Sequence, residues 1–178
     1  MSDLSVLTPA VSARDHAQGL GDAPLTLVEY GDYQCPYCRM AYPIVKQLQK
    51  KLGKNLRFVF RNFPLTQSHP YAGIAAEVAE ASELFGAFWP MHDMIYERQP
   101  ELSPESLVVW AQELGIEEKK LEKAIEKPEI AKRIQEDRMS GIRSGVNGTP
   151  TFFINGIRFD GSPDYKSLLE ALEEKQTI

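Results

Sequence analysis

The two cysteines of the chain, Cys35 and Cys38, lie three residues apart in a Cys-Pro-Tyr-Cys tetrapeptide. Thiols at this spacing can alternate between a dithiol and a disulfide. An apolar run at 25–30 precedes them and an amphipathic run at 40–52 follows them, which places the pair between a strand and the start of a helix. A helix N-terminus supplies partial positive charge and free N–H groups, which favour the thiolate that attacks in disulfide exchange. The pattern therefore predicts a redox site.

Other uses of a cysteine pair fit this sequence less well. A zinc site usually needs four Cys or His ligands, and His16, His69 and His92 are scattered without ligand spacing. We therefore expect no metal, and we interpret His69 and His92 as structural residues. A purely structural disulfide across so short a loop would constrain little of the unfolded chain. Thiol–disulfide exchange requires no cofactor, and we expect none.

Size and charge exclude several classes of protein. A chain of 178 residues suits one domain, or one domain that carries an insertion. With a net charge of −5 no broad basic surface is expected, and nucleic acid is not an expected partner. No apolar stretch approaches the length of a membrane span. Residues 1–14 lack the basic and apolar regions of a secretory signal. We expect a cytoplasmic protein, or an extracytoplasmic one if a signal has been removed.

The hydrophobic pattern predicts alternating strands and helices with a long helical block in the middle. The predicted elements are an N-terminal arm at 1–23 with room for one short strand, a strand at 25–30, a helix at 36–52, a strand at 56–60, helices throughout 64–127, a helix at 128–143, strands at 151–154 and 157–159, and a last helix from 162. Asn155-Gly156 joins the last two strands, and this dipeptide between apolar runs is the strongest short signal for a β-hairpin.

This order of elements, with the dithiol at the start of the first helix, resembles the thioredoxin fold. The helical block before the hairpin resembles the DsbA-like branch of that superfamily. Glu29 lies six residues before the first cysteine, where these proteins keep a buried acid, and Pro43 lies five residues after the second, where thioredoxin has a kink proline. Thr149-Pro150 opens the hairpin at the place of the cis-proline loop. The segment at 88–93 is similar to one in DsbA-like helical domains.

The resemblance covers nearly the whole chain and implies its fold class and domain organisation. The class is α/β, with a thioredoxin fold that carries an inserted α-helical subdomain. The thioredoxin-fold domain is discontinuous and comprises residues 1–64 and 130–178. The inserted helical subdomain comprises residues 65–129.

The resemblance also implies roles for the tetrapeptide. Cys35 is expected to be the exposed nucleophile and Cys38 the more buried resolving thiol. Pro36 and Tyr37 form the dipeptide that tunes the thiolate and contacts substrate. This dipeptide is similar to that of glutaredoxins, whereas many DsbA proteins have Pro-His, so the sequence leaves open how strongly the thiolate is stabilised.

Two further sites are expected to assist the cysteines. Glu29 is an acid inside an apolar strand and is expected to accept the proton of Cys38 during resolution. The alternative is an acid at a strand edge that reaches solvent. Pro150 is expected to follow a cis bond, and the Thr149 backbone is then presented to an extended substrate as an added strand. The alternative is an ordinary trans proline before a strand.

The implied function is that of a thiol–disulfide oxidoreductase. Its expected partners are protein or peptide thiols and disulfides, together with an unidentified redox partner that recycles it. The sequence leaves open whether it acts as an oxidase, an isomerase or a reductase. Two alternatives stay open: a glutathione-linked transferase or isomerase of the same architecture, which generally lacks the paired cysteines, and a non-catalytic peptide-binding or chaperone module.

Overall fold

The computed structural model describes residues 5–176, so the first four residues of the predicted arm and the last two of the chain lie outside it. Within residues 5–176 the chain forms one mixed sheet of five strands and seven α-helices. The strands are β1 (His16–Gln18), β2 (Leu25–Gly31), β3 (Leu56–Asn62), β4 (Thr151–Ile154) and β5 (Ile157–Phe159). The helices are α1 (Pro36–Leu52), α2 (Ala72–Glu83), α3 (Phe88–Glu97), α4 (Pro104–Glu113), α5 (Glu118–Ile125), α6 (Pro128–Arg143) and α7 (Tyr165–Gln176), with short 3₁₀ turns at Gly53–Asn55 and Gln99–Glu101.

The strand order in the sheet is β1-β3-β2-β4-β5. The two neighbours β2 and β3 are parallel and are joined through α1, whereas β1, β4 and β5 pair antiparallel with their neighbours. The β4–β5 hairpin turns at Asn155 and Gly156, whose φ values are 48° and 81°. Positive φ at both positions is the geometry of the tight hairpin that this dipeptide predicts. The central strand β2 leads directly into α1, so the cysteines at the start of α1 lie at the end of the central strand.

Alternating side chains divide the interior into two cores, one on each face of the sheet. On β2, Leu27 belongs to the larger core, which also contains Leu107 and other residues of the helical block. Val28 and Tyr30 belong to the smaller core on the opposite face. Because Glu29 alternates with Val28 and Tyr30, its side chain lies on the face of Leu27 and of the cysteines, which are part of the larger core.

The expectation of helices throughout 64–127 is wrong at its start, because residues 63–71 form a loop. Pro70 disfavours helical geometry at the residue before it. Two backbone N–H groups of this loop donate to side chains elsewhere in the protein. The Leu65 N–H donates to Asp32 at 2.8 Å, and the Tyr71 N–H donates to Gln34 at 2.6 Å. These long-range hydrogen bonds replace the helical ones.

The helices α2 to α5 lie within the predicted insert at 65–129. The predicted boundary at 129/130 falls within the first turn of α6, which begins at Pro128. The division of the chain into two domains stays a prediction. Among residues 5–176 no helix combines the length and the apolar character needed to cross a membrane.

Candidate active site

The loop between β2 and α1 places both cysteines at the start of α1. Cys35 is the N-cap residue and Pro36 occupies the first helical turn, where its missing N–H costs nothing. Cys38 lies one turn further in, and both cysteines are free thiols. The expectation that Cys35 is exposed is wrong: its side chain is 3% exposed and that of Cys38 is 0% exposed. Cys35 is covered because its thiol packs against the backbone of Thr149.

The two thiols have opposite acid–base properties. The pKa of Cys35 is lowered to about 5, first by hydrogen bonding from the Cys38 thiol and then by Thr149 and the N–H groups of Cys38 and Tyr37. Burial opposes this shift. The pKa of Cys38 is raised, chiefly by burial, then by the hydrogen bond with Cys35 and the charge of Glu29. At neutral pH the site therefore holds a thiolate at Cys35 and a protonated thiol at Cys38.

Glu29 is an unpaired acid beside the cysteines. Its side chain is 2% exposed, and its Oε1 atom has no hydrogen-bond partner within the described part of the chain. Burial, and next the charge of Cys35, raises the pKa of Glu29 to about 8. The alternative of a solvent-exposed acid at a strand edge is wrong, since β2 is flanked by β3 and β4. A carboxyl with this pKa can exchange a proton near neutral pH.

The Thr149–Pro150 loop faces the first cysteine. The peptide bond before Pro150 is cis, so the alternative of a trans proline is wrong; a second cis bond, Thr8–Pro9, was not expected. The Cys35 sulfur lies 3.4 Å from the carbonyl oxygen of Thr149. The structure thus brings the predicted loop to the predicted nucleophile.

Exposed apolar side chains lie beside the cysteines, next to the exposed Arg39. Pro36 is exposed, and the side chains of Tyr37 and Met40 are 67% and 66% exposed. Tyr37 was a predicted substrate contact, and Met40 was missed. Its position on the outer face of α1, two residues after Cys38, was the available signal. The apolar side chains of Pro36, Tyr37 and Met40 therefore lie exposed beside the buried thiols.

Asp32 contacts both cysteines and was missed by the sequence analysis. Its Oδ1 atom accepts the N–H groups of Gln34 at 2.7 Å and Cys35 at 3.1 Å. Its own N–H donates to the Cys38 sulfur at 3.5 Å. An Asp shortly before a helix start is a recognised turn-forming residue, which was the available signal. The contact with Cys38 has no signal in the local sequence.

Elements of the helical block hold this loop from the other side. The second oxygen of Asp32, Oδ2, lies 2.9 Å from His69 Nδ1. The Gln99 side chain donates to the carbonyl oxygens of Tyr33 at 2.8 Å and Cys35 at 3.0 Å. Gln99 lies 64 positions after Cys35, and its role had no sequence signal.

The other two histidines also have buried partners, and only His92 was interpreted as structural from the sequence. His16 lies 2.9 Å from a carboxylate oxygen of Glu80, and His92 lies 2.9 Å from the Tyr33 hydroxyl. Burial lowers the pKa of His92. Across residues 5–176 no group of three or more His, Cys, Asp or Glu side chains is arranged to hold a metal ion.

A sequence model described as thioredoxin matches residues 12–174. The chain belongs to the thioredoxin family. Membership agrees with the fold class that the resemblance implied, a thioredoxin-like α/β fold with added helices. It also agrees with the paired cysteines at the start of the first helix.

Solved structures of thioredoxin-like oxidoreductases share the fold over nearly the whole chain. A thioredoxin-like oxidoreductase from Silicibacter pomeroyi DSS-3 superposes with a TM-score of 0.81 at 25% identity, covering 94% of this chain and 95% of that one. The thiol-disulfide exchange protein alpha-DsbA2 from Wolbachia pipientis superposes with a TM-score of 0.80 at 23% identity, covering 92% of this chain and 88% of that one. One structural neighbour of this family member is thus named a thioredoxin-like oxidoreductase and the other a thiol-disulfide exchange protein.

Curated relatives of this thioredoxin-family chain are much longer. A protein from Salinispora arenicola (strain CNS-205) named Na(+)/H(+) antiporter NhaA 1 is 43% identical over 169 residues, which are 95% of this chain and 26% of that protein. The chain therefore spans about a quarter of the length of this relative.

Proposed function

We propose that the chain is a DsbA-like thiol–disulfide oxidoreductase that exchanges disulfides with protein or peptide substrates. The observation that carries this proposal is the contrast between the two thiols. Cys35, whose pKa is lowered to about 5, stands beside the buried Cys38, whose pKa is raised. Cys35 can thus act as the attacking or leaving thiolate, whereas Cys38 stays protonated until it resolves the mixed disulfide.

In the oxidising direction a substrate thiolate attacks Cys35 Sγ of the Cys35–Cys38 disulfide. The S–S bond breaks, Cys38 leaves with the electron pair, and Glu29 supplies its proton. A second substrate thiolate then attacks the substrate sulfur of the mixed disulfide, and Cys35 leaves as a thiolate. The substrate loses two electrons and the enzyme gains them. In the reducing direction the same steps run backwards, and Glu29 accepts the Cys38 proton as Cys38 attacks.

The surroundings of Cys35 suit an extended polypeptide. The Thr149 carbonyl already lies at hydrogen-bond distance from the sulfur, so a substrate strand that pairs with the Thr149–Pro150 backbone brings its own sulfur to Cys35. The exposed Pro36 and Tyr37 offer apolar contacts next to it. We therefore assign substrate binding to these four residues, Thr149, Pro150, Pro36 and Tyr37.

The sequence leaves the direction of exchange and the recycling partner open, and the compartment stays a prediction. The relative named as an antiporter is about four times as long as the matched segment, since the match covers 26% of it. Its ion transport is therefore not carried over to this chain.

The test is a disulfide-exchange assay with insulin and with a reduced peptide that contains two cysteines. The wild-type chain should catalyse reduction of insulin by a thiol, oxidation of the peptide by oxidised glutathione, or both. Cys35→Ser should abolish catalysis. If wild type and Cys35→Ser behave alike in both assays, the chain is a binding or chaperone module and the proposal fails. The equilibrium constant with glutathione then distinguishes an oxidase from a reductase.

A further inference from the structure

Asp32 contacts the two cysteines through different groups, its carboxylate to Cys35 and its backbone N–H to Cys38. We propose that Asp32, held in place by His69, is a positioning residue that sets the balance between the dithiol and disulfide forms of the pair. This inference rests on the proposed exchange activity. It assigns a role to a carboxylate that the reaction itself does not use.

Cys35 is the N-cap residue of α1. An N-cap side chain normally accepts an N–H group of the first helical turn. The Cys35 sulfur makes no full capping hydrogen bond, although the Cys38 and Tyr37 N–H groups lie near enough to favour its thiolate. The sulfur remains available for chemistry. Asp32 Oδ1 instead accepts the Cys35 N–H at 3.1 Å and the Gln34 N–H at 2.7 Å. The carboxylate thereby fixes the backbone from which the sulfur faces the free N–H groups of α1.

The Cys38 side chain is fully buried. A negative charge on its sulfur therefore needs a hydrogen-bond donor within the protein. The Asp32 N–H lies 3.5 Å from this sulfur. This donor stabilises the charge that appears on Cys38 when the disulfide opens. The Cys35 contact of Asp32 thus favours the dithiol form, and the Cys38 contact eases the opening of the disulfide before Cys38 takes up its proton.

The Asp32 carboxylate is held by groups of the 63–71 loop. Its side chain is 0% exposed, and a buried carboxylate requires several hydrogen-bond donors. Oδ2 accepts the Leu65 N–H at 2.8 Å and lies 2.9 Å from His69 Nδ1. Leu65 and His69 belong to the 63–71 loop that leads into the helical block. The position of this loop is therefore coupled to the dithiol through the Asp32 carboxylate.

The experiment measures the equilibrium constant for reduction by glutathione and the melting temperatures of the reduced and oxidised forms. The variants are Asp32→Ala, Asp32→Asn, His69→Phe and His69→Asn. Asp32→Asn keeps an oxygen for the Cys35 N–H but loses the acceptor for Leu65. His69→Asn keeps a donor near the Nδ1 position, and His69→Phe removes it.

Asp137→Asn is the matched control. Asp137 is also buried, 1% exposed, and accepts the Asn62 N–H at 3.0 Å. It lies on α6, and none of its contacts is with a cysteine. This control should lower both melting temperatures together and leave the equilibrium constant unchanged.

Asp32→Ala keeps the backbone N–H that faces Cys38 but removes the acceptor of the Cys35 and Gln34 N–H groups. It should lower the equilibrium constant for reduction about tenfold, because the Cys35 sulfur is then no longer held toward the N–H groups of α1. Asp32→Asn and His69→Phe should each lower the equilibrium constant for reduction by about threefold, whereas His69→Asn should keep the constant near the wild-type value. In the Asp32 variants and in His69→Phe, the melting temperature of the reduced form should fall further than that of the oxidised form. If Asp32→Ala does not fold, His69→Phe and Asp32→Asn still decide the question.

A purely structural role would lower both melting temperatures equally and leave the constant within about twofold of wild type, and that result overturns the inference. An increase in the constant overturns it as well, because it would mean that the charge of Asp32 disfavours the thiolate. A wild-type chain that exchanges no disulfide with glutathione overturns both this inference and the proposed function. An active wild type with unaffected variants overturns the inference alone.

Discussion

The Cys35 sulfur and the carbonyl oxygen of Thr149 lie 3.4 Å apart, although the two residues are separated by 114 positions in the chain. This contact brings the start of α1 against the loop that precedes β4. A substrate that reaches the sulfur must therefore also meet the Thr149 backbone. The contact explains why a buried cysteine can still be the site of attack, since the incoming strand takes the place of the internal partner.

The first prediction concerns selective alkylation of the reduced protein. Because the pKa of Cys35 is lowered to about 5 and that of Cys38 is raised, limiting iodoacetamide at mildly acidic pH should label Cys35 well before Cys38. The rate should fall as the pH drops through about 5. Peptide mass spectrometry locates the label. Preferential labelling of Cys38 would contradict the assignment of the two thiols.

The second prediction concerns the mixed disulfide. Cys38→Ser should accumulate covalent complexes with substrate proteins, because the thiol that resolves the intermediate is missing. Non-reducing gel electrophoresis should detect these complexes, and added reductant should dissolve them. Cys35→Ser is the matched control and should trap far fewer. Equal trapping by both variants would reverse or abolish the proposed order of attack.

The third prediction concerns Glu29 as the proton acceptor for Cys38. The carboxylate form is required for this role, and the pKa of Glu29 is raised to about 8. Burial, the larger cause, persists in the mixed disulfide, whereas the charge of Cys35 is absent there, so the rate of resolution in the wild type should rise with pH and level off at or below about 8. Glu29→Gln should slow resolution about tenfold or more and flatten this rise, while Cys35 alkylation remains nearly unchanged. Stopped-flow measurement of mixed-disulfide decay tests both points, and an unaltered rate across pH would leave Glu29 a structural residue.

The fourth prediction concerns stability against pH. The pKa of Cys35 is about 5 in the folded reduced protein, below its ordinary value. The thiolate therefore stabilises the reduced form above the ordinary thiol pKa, and this stabilisation is lost as the pH falls through about 5. The disulfide form has no such thiol. The free energy of unfolding of the reduced form should rise relative to that of the oxidised form as the pH increases from about 5 toward the ordinary thiol pKa of 9.0. Reduced Cys35→Ser should lack this rise, as followed by urea unfolding.

The fifth prediction concerns the buried ion pair behind the sheet. Arg61 donates to Asp15 at 2.8 Å and to the Tyr30 hydroxyl at 2.9 Å, and its side chain is 3% exposed. Arg61→Ala leaves a buried carboxylate without its partner and should lower the free energy of unfolding by about 3–5 kcal/mol. Lys120→Ala breaks the exposed pair with Glu117 and should cost no more than about 0.5 kcal/mol. Equal effects of the two variants in urea unfolding would contradict the role of the buried pair.

Features that depend on neighbouring residues were predictable. The spacing of Cys35 and Cys38 determined the dithiol, and Asn155-Gly156 determined the hairpin, because both consist of a few consecutive residues whose chemistry or φ preference acts locally. The order of strands and helices follows from hydrophobic periodicity for the same reason. The helix predicted at 64–71 failed because hydrogen bonds to Asp32 and Gln34, about 30 to 40 positions away, outweighed the local preference.

The sequence by itself determined the chemistry of the site, a dithiol at the start of a helix with an acid in the preceding strand. Only the tertiary structure decided which groups surround that dithiol. The burial of Cys35, its contact with Thr149 and the hydrogen bonds of Gln99 join residues that lie 64 to 114 positions apart. The thiol pKa values depend on burial and on donors within a few ångströms. Such distances are set by the packing of the sheet and helices, and no local pattern of residues encodes them.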